Sequence, residues 1–387
     1  MQSHQSWIWQ LKAWPALSFN AGQCQAVLGR SRQAQGQLLA KAAIIGLAGL
    51  QPHVRDALTD EALKTSSIEG ETLDVHSVRS SIAMRLGLDT AGAPPREGQR
   101  HIEGLVDILQ DASLNIAEPL SLQRMCNWHA ALFPTGFSGM QVIEVGQLRS
   151  GAMEIVSGAI GRSKVHFSAP PADALEDQTG RFVRWFNETH PSTGSQPMDG
   201  LMRAAMSHLW FETLHPFDDS NGRIGRAILQ LALGQDMGQA ARMVTLSRQI
   251  ESCKANYYKA LETAQRSISL DVTPWMEWML TQIAIACEFA CETIEHSMQR
   301  IQFQVRMYEQ ALNDRQLKTM KKLLDAGPKG YAGGMTTRKH ERIAQTSTPT
   351  AARDLIDLEN RGLLVRKGMG RSVRYYPGIE GWAEDEV

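Results

Sequence analysis

The sequence predicts a mainly α-helical protein in two parts: a large helical body broken by one β-hairpin, and a small C-terminal module of three helices and a two-stranded ribbon. Three observations predict it. Apolar residues recur at helical spacing through residues 100–300. One segment, Met153 to Ser168, breaks that period with β-branched runs around Gly158 and Gly161, the pattern of a hairpin. Residues 306–377 carry 15 Lys/Arg against 7 Asp/Glu in a chain that is balanced overall, with 40 basic and 41 acidic residues. Such a local shift in charge marks a separate domain.

The elements follow in order. Trp7, Trp9 and Trp14 open the chain, and the Trp7/Trp9 spacing suits one face of a short strand. Helical patterning runs from Gln25 to Gly49 and again from Arg55 to Glu69. Leu86–Gly98, rich in Gly and Pro, reads as a loop. Leu105, Ile108 and Leu109 mark a helix, Leu120–Leu132 another and Leu175–Phe186 a third. Pro170 and Pro171 close the hairpin. A helix from about Met198 to Leu214 precedes a short polar stretch. A second helix leaves it, with Ile224, Ala227, Ile228 and Leu231 at helical spacing. The expected organisation is an N-terminal region at 1–100, a core at 101–300, a small domain at 303–377 and an acidic tail at 378–387.

Composition excludes some classes. The chain has 387 residues, 43% of them hydrophobic, and a formal net charge of −1. It is not one large nucleic-acid or membrane surface. Five cysteines, Cys24, Cys126, Cys253, Cys287 and Cys291, show no metal-ligand spacing and predict reduced thiols. The start of the chain is polar and lacks a secretory pattern. The longest apolar run, Ala42–Leu50, is too short to span a bilayer. These features predict a cytoplasmic protein without a membrane partner.

The chemistry concentrates between the two central helices, in His215-Pro-Phe-Asp-Asp-Ser-Asn-Gly-Arg-Ile-Gly-Arg226. A tight loop that opens a helix offers unpaired N–H groups and the positive end of the helix dipole, so it attracts phosphate. Gly222 allows close backbone approach. Arg223 and Arg226, three apart, put two guanidiniums beside that anion site. Asp219 offers a hard oxygen for Mg²⁺ bridging phosphates. His215 titrates near neutrality in the unperturbed state and suits removal of a proton from a hydroxyl. Phe217 reads as a buried pin for the loop. Asp219 or Ser220 also suits the N-cap of the exit helix.

This run resembles the motif of the Fic family of AMP-transferases, His-x-Phe-x-(Asp/Glu)-Gly-Asn-Gly-Arg-x-x-Arg. Eleven of the twelve positions agree, and Ser220 departs where the family has Gly. The hairpin at 153–168 resembles the family's flap, which holds a target segment by strand addition. Gly146-Gln-Leu-Arg149 resembles its Gly-x-x-Arg. Leu246–Glu251, Tyr257-Tyr258 and Thr273-Pro-Trp275 resemble its adenine side. The resemblance covers about residues 60–300 and implies a Fic-type helical core with ATP and Mg²⁺ as cofactors. It makes His215 the general base and Asp219 the metal ligand. Ser220, Asn221, Gly222, Arg223, Gly225 and Arg226 then surround the phosphates. Ile155, Val156, Ser157, Gly158, Val165 and His166 form the target-docking flap. Tyr257 and Tyr258 suit stacking on the base or a place in the core. Doc-like kinases of the wider family have Lys where Gly222 stands, so Gly222 favours nucleotidyl over phosphate transfer. If position 220 needs a positive φ, Ser there costs about 1 kcal/mol.

Thr65-Ser-Ser-Ile-Glu69-Gly70 is unremarkable alone. Beside that motif it resembles the family's inhibitory (Ser/Thr)-x-x-x-Glu-(Gly/Asn), on a helix expected at about 55–70. The resemblance implies that Glu69, with Thr65 one turn earlier, pairs with Arg226 and blocks the γ-phosphate position. Glu71 ranks second because no Gly follows it. The implied activity is a self-inhibited adenylyltransferase moving AMP from ATP to a Tyr, Thr or Ser hydroxyl of a protein, itself included.

At the C-terminus, Leu312–Leu324, Thr336–Ile343 and a helix capped at Ser347 or Thr348 precede a hairpin at Leu363–Tyr376. Three helices and a wing resemble a winged helix-turn-helix. Arg353, Arg366, Lys367, Arg371 and Arg374 suit phosphate contacts. DNA binding through 303–377 and protein docking, a homodimer included, both stay open. The rival overall reading is a DNA-binding regulator whose core binds ATP with weak or no catalysis.

Overall fold

A computed structural model describes residues 7–88, 100–157, 164–327, 330–331 and 333–382. The chain divides into two compact units, Met1–Cys291 and Glu292–Val387.

In the first unit, a 3-10 turn at Ile8–Gln10 precedes α1 (Ala21–Ile68), capped by Asn20. The expected strand at Trp7/Trp9 is therefore absent. The compact turn instead sends Trp7 edge-on to Phe167, centroids 5.2 Å apart, and lets Trp9 Nε1 donate to the Ser168 carbonyl at 2.7 Å. The two expected helices are two segments of α1 that meet at Gly46 (φ 73°, ψ 166°), with Pro52 inside the second. That backbone conformation is open to glycine and costly elsewhere, so the break falls earlier than periodicity suggests. Helix α2 (Val75–Arg85), capped by Asp74, was not signalled by apolar spacing. It occupies the stretch before the expected loop, of which residues 89–99 lie outside those described.

Then come α3 (Arg100–Leu114) and α4 (Leu122–Leu132). The short ribbon β1 (Phe137–Ser138) with β2 (Gln141–Val142) is antiparallel. The hairpin β3 (Glu154–Ser157) with β4 (Lys164–Ser168) is also antiparallel, with a bulge at Ile155/Val156. Its tip, Gly158 included, lies outside the described residues. Helices α5 (Leu175–Glu188), α6 (Gly200–Leu214), α7 (Asn221–Met237), α8 (Leu246–Ser252), α9 (Lys254–Gln265) and α10 (Thr273–Glu309) follow.

Every residue of α6 is buried, and nearly every residue of α7. This pair is the centre of the unit, with α1, α3, α4, α5 and α9 packed on it. An all-round apolar helix belongs in a core, so the loop joining α6 to α7 is anchored at both ends by rigid elements.

The second unit takes the end of α10 from Glu292, then α11 (Asp314–Asp325), α12 (Thr337–Ala344), α13 (Thr348–Asn360), β5 (Leu364–Lys367) and β6 (Arg374–Pro377). β5 and β6 are antiparallel, and Met335 forms a bridge with Tyr375. Its core joins Phe303, Met320, Leu323, Leu355, Leu358 and Tyr375. Ile379 and Trp382 are buried in the same core, and Trp382 Nε1 donates to Gln299 Oε1 at 3.1 Å. The segment after Pro377 is thus not a free acidic tail as far as Trp382, because two apolar residues there complete the packing. Among the described residues, no helix is long and apolar enough to cross a membrane.

Candidate active site

The loop between α6 and α7 is held in an unusual shape. His215 ends α6 at φ 46° and Ser220 starts α7 at φ 62°. Left-handed backbone at two non-glycine residues costs of order 1–3 kcal/mol each and persists where neighbours over-determine it. They do. Phe217 is buried and stacks on His129 at 4.6 Å and 11°. The Asn221 amide clasps Phe217, accepting from its N–H at 2.9 Å and donating to its carbonyl at 2.7 Å. The side chain of Asn221 is therefore committed to the loop, and only its backbone is left to meet a ligand. Buried Arg149 donates to the His215 carbonyl at 2.9 Å, and to the carbonyls of Gly151 and Pro170, each at 2.6 Å. It ties the loop to both roots of the hairpin. Asp218 Oδ2 accepts from the Glu144 N–H at 2.9 Å.

Above this loop lies a cavity of about 450 Å³, a size suited to a small ligand. Asp218–Gly222 with His215 and Arg226 form its floor, Ile155–Ser157 and His166 one wall, Tyr257, Tyr258 and Leu261 another, and Glu69 closes it. The flap is braced from behind. Trp7, Phe167 and Ala169 form a small core with Trp9, Ile155 and Val165. Arg266 covers the Trp7 ring at 4.7 Å and donates to the carbonyls of Val165 and His166. His166 Nε2 lies 2.6 Å from Ser157 Oγ across the hairpin. Trp7, Trp9 and Arg266 thus position the hairpin, a placement their sequence neighbourhood does not signal.

The imidazole of His215 lines the cavity, with Nδ1 turned 3.4 Å from the Glu212 carbonyl. Donation from Nδ1 leaves Nε2 as the basic nitrogen. Burial pushes its pKa down to about 4, against the backbone bond to Glu212 and the opposing carboxylates. The ring is neutral at ordinary pH, the form a base requires. Asp219 is oriented by Ser138 Oγ and by the N–H of Ser220. No cluster of three His, Cys, Asp or Glu suited to a metal occurs among the described residues. One hard carboxylate beside an anion site suits Mg²⁺ that takes its remaining ligands from water and phosphate.

Glu69 and Thr65 sit on Arg226. Its Nη2 donates to Glu69 Oε1 at 2.7 Å and to the Thr65 carbonyl at 3.0 Å, and its Nε donates to Thr65 Oγ1 at 2.6 Å. Arg226 is only 3% exposed. A Cβ on Gly222 would lie 2.2 Å from Glu69 Oε1, so the acid presses on the helix start where an anion would lie. The end of α1 is fastened to α8 by polar contacts: Glu61 accepts from the Ser247 N–H and hydroxyl, and Lys64 and Ser67 both reach Glu251. Burial raises Glu61 to about 7.

Two expectations need correction. Arg223 does not line the main cavity. It points to a second hollow with His101, Phe133 and Ser138, where its Nη1 meets Glu71 at 2.9 Å and its Nη2 meets Ser220 Oγ at 2.6 Å. Gly225 faces α6, not a nucleotide: a Cβ there would lie 2.2 Å from Glu212 Oε1. The reason is helical geometry. Positions 222 and 226 share a face, whereas 223 and 225 point elsewhere. Tyr257 is buried with its hydroxyl 3.0 Å from His208 Nε2, whereas Tyr258 is 42% exposed.

The fold and the site together define a helical domain built on a polar loop between two buried helices. Residues 119–233 match the family model described as "Fic/DOC family", and residues 7–88 match "Domain of unknown function (DUF4172)". The chain carries a Fic/DOC family domain. It is similar to a protein adenylyltransferase Fic of Drosophila ananassae, 26% identical over 241 residues, 60% of this chain and 41% of that protein. It is also similar to a uridine 5'-monophosphate transferase of Xanthomonas campestris pv. campestris (strain 8004), 28% identical over 133 residues, 32% of this chain and 24% of that protein. The chain thus spans well under half the length of these relatives. Among solved structures, a Fic family protein of Desulfovibrio desulfuricans G20 superposes with a TM-score of 0.52 at 19% identity, covering 91% of this chain and 95% of that one. Fic-1 of C. elegans does so with 0.51 at 19%, covering 72% and 74%. The fold is that of Fic proteins.

Proposed function

We propose that the chain is a self-inhibited protein adenylyltransferase, moving AMP from ATP to a Tyr, Thr or Ser hydroxyl of a protein. The observation that carries it is the convergence, in one cavity, of a helix start, the Arg226 guanidinium, the Asp219 carboxylate and a neutral His215. The relatives named as adenylyltransferases support the reaction class. The one named for uridine monophosphate transfer keeps the base open, since the loop grips phosphates.

In this reading the N–H groups of Asn221 and Gly222 at the start of α7, together with Arg226, hold the polyphosphate. Mg²⁺ on Asp219 would neutralise phosphate charge. The flap edge at Ile155–Ser157 adds a strand of the target and presents its hydroxyl. His215 Nε2 takes the hydroxyl proton as its oxygen bonds to the α-phosphorus. The bond from that phosphorus to the bridging oxygen breaks, and pyrophosphate leaves. Glu69 on Arg226 holds the enzyme off by occupying the guanidinium. The test is AMP transfer by the Glu69→Gly protein, lost when His215→Ala is added.

The C-terminal unit supports a second role beside it. Its order of helix, bridge, two helices and ribbon resembles that of a winged helix and supports this reading. Arg338, Lys339, Arg342 and Arg374 surround a hollow of about 450 Å³. The exposed face of α13 instead carries Ile356 with Arg353. Phosphate contact by α12 and β6, with DNA as partner, is the reading this charge favours.

A further inference from the structure

Among the residues that line the cavity, one carboxyl lacks an explanation. Glu212 is 4% exposed, lies one turn before His215 on α6, and its Oε1 is buried with no hydrogen-bond partner. Buried carboxyls without partners are costly and rare. Its neighbours explain the placement. Oε2 is 4.0 Å from His215 Nδ1. Its own carbonyl accepts from Gln265 Nε2 at 3.2 Å and lies 3.4 Å from His215 Nδ1. On α7 the chain leaves a glycine at 225, where any side chain would strike Oε1. The room for this carboxyl is thus kept by a second element.

We infer that Glu212 is a positioning residue for transfer: it orients the imidazole of His215 from the Nδ1 side and provides the counter-charge to Arg226 and to the imidazolium once Glu69 has withdrawn. The inference rests on His215 acting as the base. When His215 takes the target's proton on Nε2, a positive charge appears 4 Å from Oε2. An ionised Glu212 makes that nitrogen a stronger base, as a carboxylate behind a catalytic imidazole does.

The titratable and charged groups around Glu212 are His215 and His208 on its own helix, Arg226 on α7, Glu69 at the end of α1, and Tyr257 and Tyr258 on α9. In the closed state burial raises Glu212 to about 8, opposed by Arg226 and reinforced by Glu69. Loss of Glu69 removes one raising influence and leaves Arg226. Opening the inhibitor therefore shifts Glu212 toward its ionised form, and one displacement both frees the guanidinium and favours the charge that supports the base.

The test uses the full chain in the Glu69→Gly background, reading pyrophosphate release and added AMP mass from pH 5 to 9. Glu212→Gln keeps the shape but cannot ionise. It should lower kcat about tenfold, less than the roughly hundredfold or more that a general base itself contributes, leave KM for ATP within about twofold, and erase a limb of the pH profile below 8. Glu212→Asp should keep that limb. In the parent, the NMR titration of the His215 ring, assigned by its loss in His215→Ala, should show two steps, an observation that needs no variant at position 212. A Glu212→Gln profile superimposable on the parent's, or a single-step His215 titration, overturns the inference. If instead His215→Ala leaves transfer intact, the reading of His215 as base fails, and this inference falls with it for a distinguishable reason.

Discussion

Replacing Glu69 by glycine is the sharpest perturbation of the site, because the structure states what is lost and what stays. Arg226 loses one charge-assisted bond of 2.7 Å. It keeps Thr65, through Oγ1 and the carbonyl, and so remains aimed at the cavity. A hydrogen bond to a charged group contributes about 1.5–3 kcal/mol. Given to a terminal phosphate instead of Glu69, that bond is worth about ten- to a hundredfold in transfer, at tenfold per 1.4 kcal/mol. The fold should survive. Breaking a fully buried pair costs about 3–5 kcal/mol, but Glu69 is 31% exposed and Glu212 acts on the same guanidinium, so a loss of about 1–3 kcal/mol is expected after screening. The assay is intact mass of wild-type and Glu69→Gly proteins after incubation with ATP and Mg²⁺, scoring added AMP units, with transfer to other proteins read from α-labelled ATP. Equal adducts in the two proteins would refute the inhibitory role of Glu69. Adducts that persist in Glu69→Gly/His215→Ala would refute the catalytic one.

Other outcomes follow from the same geometry. Ser220→Gly relieves a left-handed serine, about 1 kcal/mol, but gives up the Oγ contact to Arg223, so transfer should be kept or raised. Ser220→Ala keeps the strain, loses the contact and should melt several degrees lower; the opposite ranking in a thermal melt would contradict the φ argument. Stability should respond to pH in two opposed ways. Burial lowers His129 and His215 to about 4 and His208 to about 3. The folded state then binds fewer protons, and stability is lost as pH falls from about 6.5 toward 4. Glu61 at about 7 and Glu212 at about 8 are raised, so the folded state holds their protons, and stability is lost as pH rises from about 4.5 to 8. Above pH 6.5 only the carboxyls act. The melting temperature should fall from pH 6.5 to 8, and Glu212→Gln should flatten that fall; a Tm that climbs over this range would be inconsistent with both burials. Finally, the full chain should retard duplex DNA with a steep salt dependence, and Arg338→Ala/Arg342→Ala/Arg374→Ala should reduce the slope of log K against log salt by about three. An unchanged slope would assign that surface another partner.

The candidate loop was legible in the sequence because its residues are consecutive. Twelve positions carry an imidazole, carboxylates, the helix start and two guanidiniums, and flanking apolar periodicity already says that two buried helices present them. The flap was legible as a break in period, and the C-terminal helices as capped amphipathic segments. The strand expected at Trp7/Trp9 failed for a related reason. Alternation over three residues is too short to separate a strand from a 3-10 turn, and the outcome was set by rings seeking Phe167 and the Ser168 carbonyl.

What a linear motif cannot carry is side-chain direction across elements. Glu69 reaches Arg226 over 157 positions and Glu71 reaches Arg223 over 152, so which acid meets which arginine depends on how α1 crosses the start of α7. Gly225 and Arg223 read as phosphate contacts by adjacency, yet a helix turns about 100° per residue and points them at α6 and at a second hollow. Glu212 gave no signal at all, since one acid in an apolar helix looks the same whether it faces water or the back of the catalytic imidazole. Chain order determined the chemistry of the loop. Only the packing of distant helices decided which charges close it and which stand behind it, because burial and partnership are properties of space rather than of spacing.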